Sequence, residues 1–169
     1  MRQSLLEWAD YYCQQKVWIY PYNLKESPIV FWKNIKNNED YKSIYKSWDW
    51  NTFTGIKLVI GKKGSRVIEV KTKVLLKKAL HLLGLPEDYD WIIYGPAKYG
   101  IVVDTPGVSI ESKGMSNRSL KKVLMLWDGY YVLPAPGVSV YFYQNRIPQC
   151  HPMQVKDEVF FKCVKYLTQ

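Results

Sequence analysis

The chain has little of what staples or ligates. Its three cysteines, Cys13, Cys150 and Cys163, lie far apart with no Cys-x-x-Cys pair, and it has only two histidines. That excludes a disulfide framework and points to a reducing compartment. Cys150-His151 with Cys163 lacks the spacing of a zinc site, so these read as separate structural residues. No stretch approaches the ~18 apolar residues of a membrane span, and the first residues are polar and amphipathic rather than signal-like. The expected setting is the cytoplasm, with no membrane contact. A phosphate-binding P-loop is also missing. In GIKLVIGKK the glycines are separated by five residues, not four, and Lys63 stands where Ser or Thr must ligate Mg²⁺. With no repeat, low-complexity run or linker, residues 1–169 read as one domain.

Acid is scarce where base is dense. Between Gly55 and Leu80 eight basic residues face one acid, Glu69, giving +7 of the chain's net +9. A basic balance of this kind favours an anionic partner such as nucleic acid. Aromatics are abundant, with seven Trp and fourteen Tyr; they serve core packing or, on a surface, the stacking of bases.

Gly55–Lys71, GIKLVIGKKGSRVIEVK, organises the reading: a β-branched run, a glycine turn and a second β-branched run predict a central hairpin. Period-two alternation puts Glu69 and Lys71 on one face of its second strand. Before it, 4–15 has helical spacing, 17–20 reads as a strand stopped by Pro21, and a short helix carries Tyr41, Ile44, Tyr45 and Trp48. Trp48, Trp50 and Phe53 form an aromatic cluster in a polar loop. Thr72 caps a helix over 73–83, with Val74, Leu75, Leu80 and Leu83 on its apolar side and Gly84 as its C-cap. Strands at 91–94 and 101–104 flank GPAKYG, and 105–117 is loop-like. Asp128-Gly129 predicts a second hairpin, joining 122–127 to 130–133. A strand at 138–143 and a helix striped by Val155, Val159, Phe160, Cys163, Val164 and Leu167 complete the chain. Strands come in blocks, so the fold class is α+β.

Several of these pieces, in order, resemble the prim-pol domain of the archaeo-eukaryotic primase superfamily. They are LLEWADYYCQQKVWIYPYN, KESPIVFWKN, GIKLVIG, VIEVK, YGPAKYGIVV and DGYYVLPAPGVSVYFY, spanning residues 4–155. The resemblance implies an RRM-like core, a central mixed or antiparallel sheet flanked by helices, and metal-dependent nucleotidyl transfer. The family's Asp-x-Asp falls on Glu69 and Lys71, its His on Gly100, and its third carboxylate in KKVLMLW, which has no acid. Glu69, Lys71 and Gly100 are thus vestigial motif positions, and Lys71 brings positive charge to where two divalent cations would be clustered.

The expectation is therefore a non-catalytic domain with no metal or cofactor. It binds nucleic acid, DNA ahead of RNA, through a basic hairpin and the following helix: Lys57, Lys62, Lys63, Arg66, Lys71 and Lys73. Lysine remains a good point charge for phosphate. Two alternatives stay open. One is a protein-interaction module with a replication or mobile-element partner; the other is a residual nucleotidyltransferase whose site is rebuilt from Glu69 with Asp104 or Asp128. His81 reads as a surface residue of the charged helix face.

Overall fold

A computed structural model describes residues 4–22, 35, 37–105 and 116–169. The KESPIVFWKN segment and most of the 105–117 loop lie outside the described residues. The elements, in order, are α1 (Leu5–Gln14), β1 (Ile19–Tyr22), α2 (Asn38–Ser47), β2 (Gly55–Ile60), β3 (Ser65–Val70), α3 (Lys73–Leu83), β4 (Ile92–Gly95), β5 (Lys98–Asp104), β6 (Arg118–Leu120), β7 (Val123–Leu126), β8 (Gly129–Val132), β9 (Tyr141–Phe142) and α4 (Asp157–Leu167). The fold is α+β. Instead of one central sheet there are two, ordered β1-β2-β8 and β6-β7-β3-β5-β4-β9, and all the pairings between named strands are antiparallel. One hydrophobic core runs through both.

The helices follow local rules. Ser4 accepts from the Glu7 N–H while Glu7 reaches back to Ser4 N–H, closing a capping box on α1. Thr72 caps α3 at the Leu75 N–H, and Gly84 ends it in the left-handed conformation. The face α3 buries is Leu76, Ala79, Leu80 and Leu83. Val74, expected on the apolar side, is 66% exposed, because it lies two residues from Leu76 and so about 200° around the helix. α4 buries Phe160, Cys163 and Val164 and packs on α3 and β7. Among the described residues no helix is long and apolar enough to cross a membrane.

Both hairpins expected at glycine turns are corrected. β2 pairs with β1 and β8, whereas β3 pairs with β5 and β7. Likewise β7 and β8 belong to different sheets. Gly61–Gly64 and Asp128-Gly129 are therefore corners at which the chain passes from one sheet to the other. Gly61 and Gly64 both have φ 96°, a left-handed conformation that L side chains rarely adopt. The two corners abut: a Cβ on Gly61 would lie 3.0 Å from the Trp127 carbonyl oxygen. Both glycine segments are turns; strand partners are chosen by distant segments, which turn chemistry does not encode.

Three smaller differences complete the comparison. β1 continues through Pro21 to Tyr22, because it is an edge strand where a missing N–H is tolerated. The 138–143 strand contracts to Tyr141–Phe142. Trp50, expected in a polar loop, is buried in a 3-10 turn, its indole donating to the Tyr45 carbonyl at 2.9 Å.

Candidate nucleic-acid interface

β3 lies between β7 and β5, and the register sets Leu124, Glu69 and Gly100 side by side in one row. Three segments far apart in the chain thus supply adjacent positions, of which one is acidic. The Glu69 side chain is only 8% exposed. Tyr131, reaching across from β8 of the smaller sheet, donates its hydroxyl to Glu69 Oε2 at 2.6 Å. Lys98 Nζ stands 3.5 Å from the same oxygen. Burial first, then the hydrogen bond and charge of Glu69, hold the Tyr131 phenol well above its ordinary pKa, so it stays a donor.

Tyr131 also explains Gly100. A Cβ there would fall 2.5 Å from the tyrosine oxygen, with ring carbons at 2.7 Å. No histidine fits at position 100 while Tyr131 holds this place. The space above the row is occupied by an aromatic side chain.

Beyond the row the surroundings are basic. Lys71 follows β3 directly, and its N–H donates to the Lys122 carbonyl at 3.2 Å. The turn between β6 and β7 puts Lys121 in the left-handed region, with φ 53°. A hollow of about 130 Å³ is lined by Glu69, Lys71, Ser119, Lys121 and Lys122. Glu69 and Lys71 thus line the same hollow, with Lys71 just past the end of β3. Lys73 is exposed at the start of α3.

These residues do not suit a pair of divalent cations, which need several carboxylates to bridge and offset them. Asp104 pairs with Ser65, and Asp128 lies four residues beyond Leu124. Asp104 is thus four residues along β5 from the Glu69 row, about 13 Å, and Asp128 lies past the end of β7, in the corner beside Gly61. Among the described residues no group of three or more His, Cys, Asp or Glu is placed to hold an ion.

The six basic residues expected to act together are divided. Lys71 and Lys73 belong to the Glu69 end of β3. Lys62 is exposed and Lys63 half-buried at the opposite end, about 20 Å away along a six-residue strand. Lys63 donates to the Lys16 carbonyl at 2.8 Å. Lys57 lies on β2, its ammonium 4.8 Å from the centre of the Tyr22 ring. Arg66 is buried at 7% exposure. Its guanidinium donates to Thr105 Oγ1 at 3.1 Å and to the Trp127 carbonyl at 2.5 Å, and lies 3.6 Å from the centre of the Trp127 ring. It faces inward, away from any surface ligand. Burial lowers its pKa, against the opposing charges of Asp157 and Asp128.

Lys98, Lys121, Lys122 and Tyr131 escaped the sequence reading. Nothing local marks them; strand pairing brings the three lysines near Glu69, and the packing of one sheet against the other brings Tyr131. No protein-family model matches the chain, and no curated protein matches it either.

Proposed function

We propose that this chain is a non-catalytic domain of prim-pol lineage that binds nucleic acid along the basic rim at the Glu69 end of β3. The observation that carries the reading is the row Leu124–Glu69–Gly100, where one acid remains, engaged by Tyr131, beneath Lys71, Lys98, Lys121 and Lys122. Such a surface attracts phosphate oxygens, and each neutralised phosphate releases counterions. The three cysteines, all unpaired, support a reducing cytoplasmic setting.

The test is binding of fluorescent single-stranded and duplex DNA across a salt series. Wild-type affinity falls steeply with salt. Lys71→Glu with Lys122→Glu weakens binding by at least about tenfold and flattens the salt slope by about 2. Neither protein incorporates nucleotides with Mg²⁺ or Mn²⁺. Binding that survives this reversal unchanged removes the rim from the account, and metal-dependent incorporation abolished by Glu69→Ala establishes the nucleotidyltransferase reading instead.

One observation favours a second reading, a protein-interaction module. An apolar groove of about 440 Å³ runs between β6–β7 and α4, lined by Leu120, Val123, Met125, Phe161 and Val164. Under that reading the chain shows no salt-sensitive DNA binding, and Leu120→Asp abolishes capture of its protein partner.

A further inference from the structure

We infer that a hollow of about 560 Å³ between α1, α2 and the Gly61–Gly64 corner is a second anion site that takes the phosphate groups of a nucleotide. It lies at the opposite end of β3 from the Glu69 rim, and the inference does not rest on the reading of that rim.

The charge on its walls is lopsided. Lys16, Lys42, Lys46 and Lys63 line it, against Asp10 and Glu39, four ammonium groups to two carboxylates. Asp10 already accepts from the Tyr45 hydroxyl at 3.0 Å. Glu39 approaches Lys42 only to 3.7 Å, with both side chains largely exposed, a pairing of small value.

Helix capping accounts for part of the arrangement. Lys16 follows α1 with φ 60°, and the Lys63 ammonium donates to its carbonyl, the usual way a cation satisfies a helix C-terminus. Lys46 stands in the last turn of α2, where a cation complements the helix dipole, while Lys42 has no such role. They stand one turn apart on α2, a like-charge spacing that disfavours the helix, and both line the same hollow as Lys16 and Lys63, Lys46 from a position it shares with a neighbouring hollow. Burial chiefly, and repulsion from Lys16, lower the Lys63 pKa, against the opposing charge of Asp104 nearby.

The floor contributes no competing charge. Tyr41 stacks on Trp18 with ring centres 5.1 Å apart, and its hydroxyl is held by the backbone of Ile19. Burial pushes the Cys13 thiol up to about 12, so it is neutral at physiological pH. Trp18 and Tyr41 are nearly buried, so what the hollow offers is an uncharged floor under lysine walls, which suits the phosphate groups of a nucleotide. The volume lies within the roughly 300–1,000 Å³ of small-molecule sites.

The same phosphate chemistry could arrive on a free nucleotide or on a nucleic-acid backbone, and one experiment separates them. A fluorescent nucleoside triphosphate is titrated into the full chain, then displaced with inorganic tripolyphosphate or a single-stranded oligonucleotide. Lys42→Glu with Lys46→Glu is expected to weaken the probe by about tenfold or more, while Lys71→Glu with Lys122→Glu leaves it within about twofold. Both lysine pairs are on exposed surface, and circular dichroism with the milder Lys42→Ala, Lys46→Ala variant controls for folding. Displacement by tripolyphosphate alone assigns a free nucleotide. Displacement by the oligonucleotide that persists in the Lys71/Lys122 variant assigns a nucleic-acid backbone. No probe binding, or binding indifferent to the α2 substitutions, overturns the inference.

Discussion

The two ends of β3 treat a buried charge in opposite ways. Arg66 and Glu69 are three residues apart, point to opposite faces and are both 7% exposed. Arg66 turns its donors to Thr105 and the Trp127 carbonyl and stacks on an indole that itself meets Phe160 and Phe161. Glu69 is met by a tyrosine from the other sheet and by a half-exposed lysine, at the margin of a basic hollow. One end uses charge to fasten two sheet crossings together. The other holds its carboxylate under Tyr131, at the edge of a hollow lined by lysines. A cluster of basic residues in sequence is thus no guide to function until pairing shows which of them reach solvent.

Removing Arg66 should show the largest effect. Arg66→Ala leaves the Trp127 carbonyl without its donor and empties the space over the indole, so a loss of about 3 kcal/mol or more is expected in chemical denaturation. A loss below about 1 kcal/mol would mean the corners hold without it. Next comes Gly100→Ala, at about 1–3 kcal/mol from the clash with Tyr131. In a Tyr131→Ala background that cost should vanish, giving a coupling of about 1 kcal/mol or more in the double-mutant cycle. Additive effects would dissociate Gly100 from the tyrosine.

Tyr131→Phe is expected to cost about 1–2 kcal/mol at neutral pH, since Glu69 keeps its burial and loses its donor. The same variant carries a pH signature. The folded chain retains the Tyr131 proton above the phenol's ordinary 10.0, whereas the unfolded chain releases it. Its contribution is therefore complete below that value and lost as pH rises past it. Tyr131→Phe should make the alkaline loss of stability shallower by up to about 1.4 kcal/mol per pH unit. Smallest of all, Lys57→Ala should cost about 0.5 kcal/mol through its contact with Tyr22 and leave the salt slope of DNA binding unchanged, whereas a flattened slope would extend the interface onto β2.

What the sequence made legible was the part governed by near neighbours. Thr72 and Gly84 mark helix ends through hydrogen bonds that span three or four residues, and the Phe160–Cys163–Val164 stripe declares its face by period alone. Glycine turns are legible as turns. Whether a turn returns a strand to its neighbour or delivers it to another sheet depends on Trp127 meeting Gly61 and Arg66 across some sixty residues. The site divides the same way. Glu69 and Lys71 are close in sequence and line one hollow, while the Lys121–Lys122 turn arrives through pairing and Tyr131 through packing of the two sheets. Arg66 looked like its lysine neighbours in composition, yet its parity on β3 turns it toward the aromatic side chains packed on α4.

The paired corners also bear on how the chain reaches its fold. Arg66 and Trp127 are 61 residues apart, so the latch between them closes only after that long loop has been brought together, an entropic demand that slows folding. Until it closes, β2 and β3 are two apolar β-branched segments with glycines between them, free to pair with each other in the very hairpin their sequence suggests. Escape from that local trap, rather than formation of the helices, should set the refolding rate.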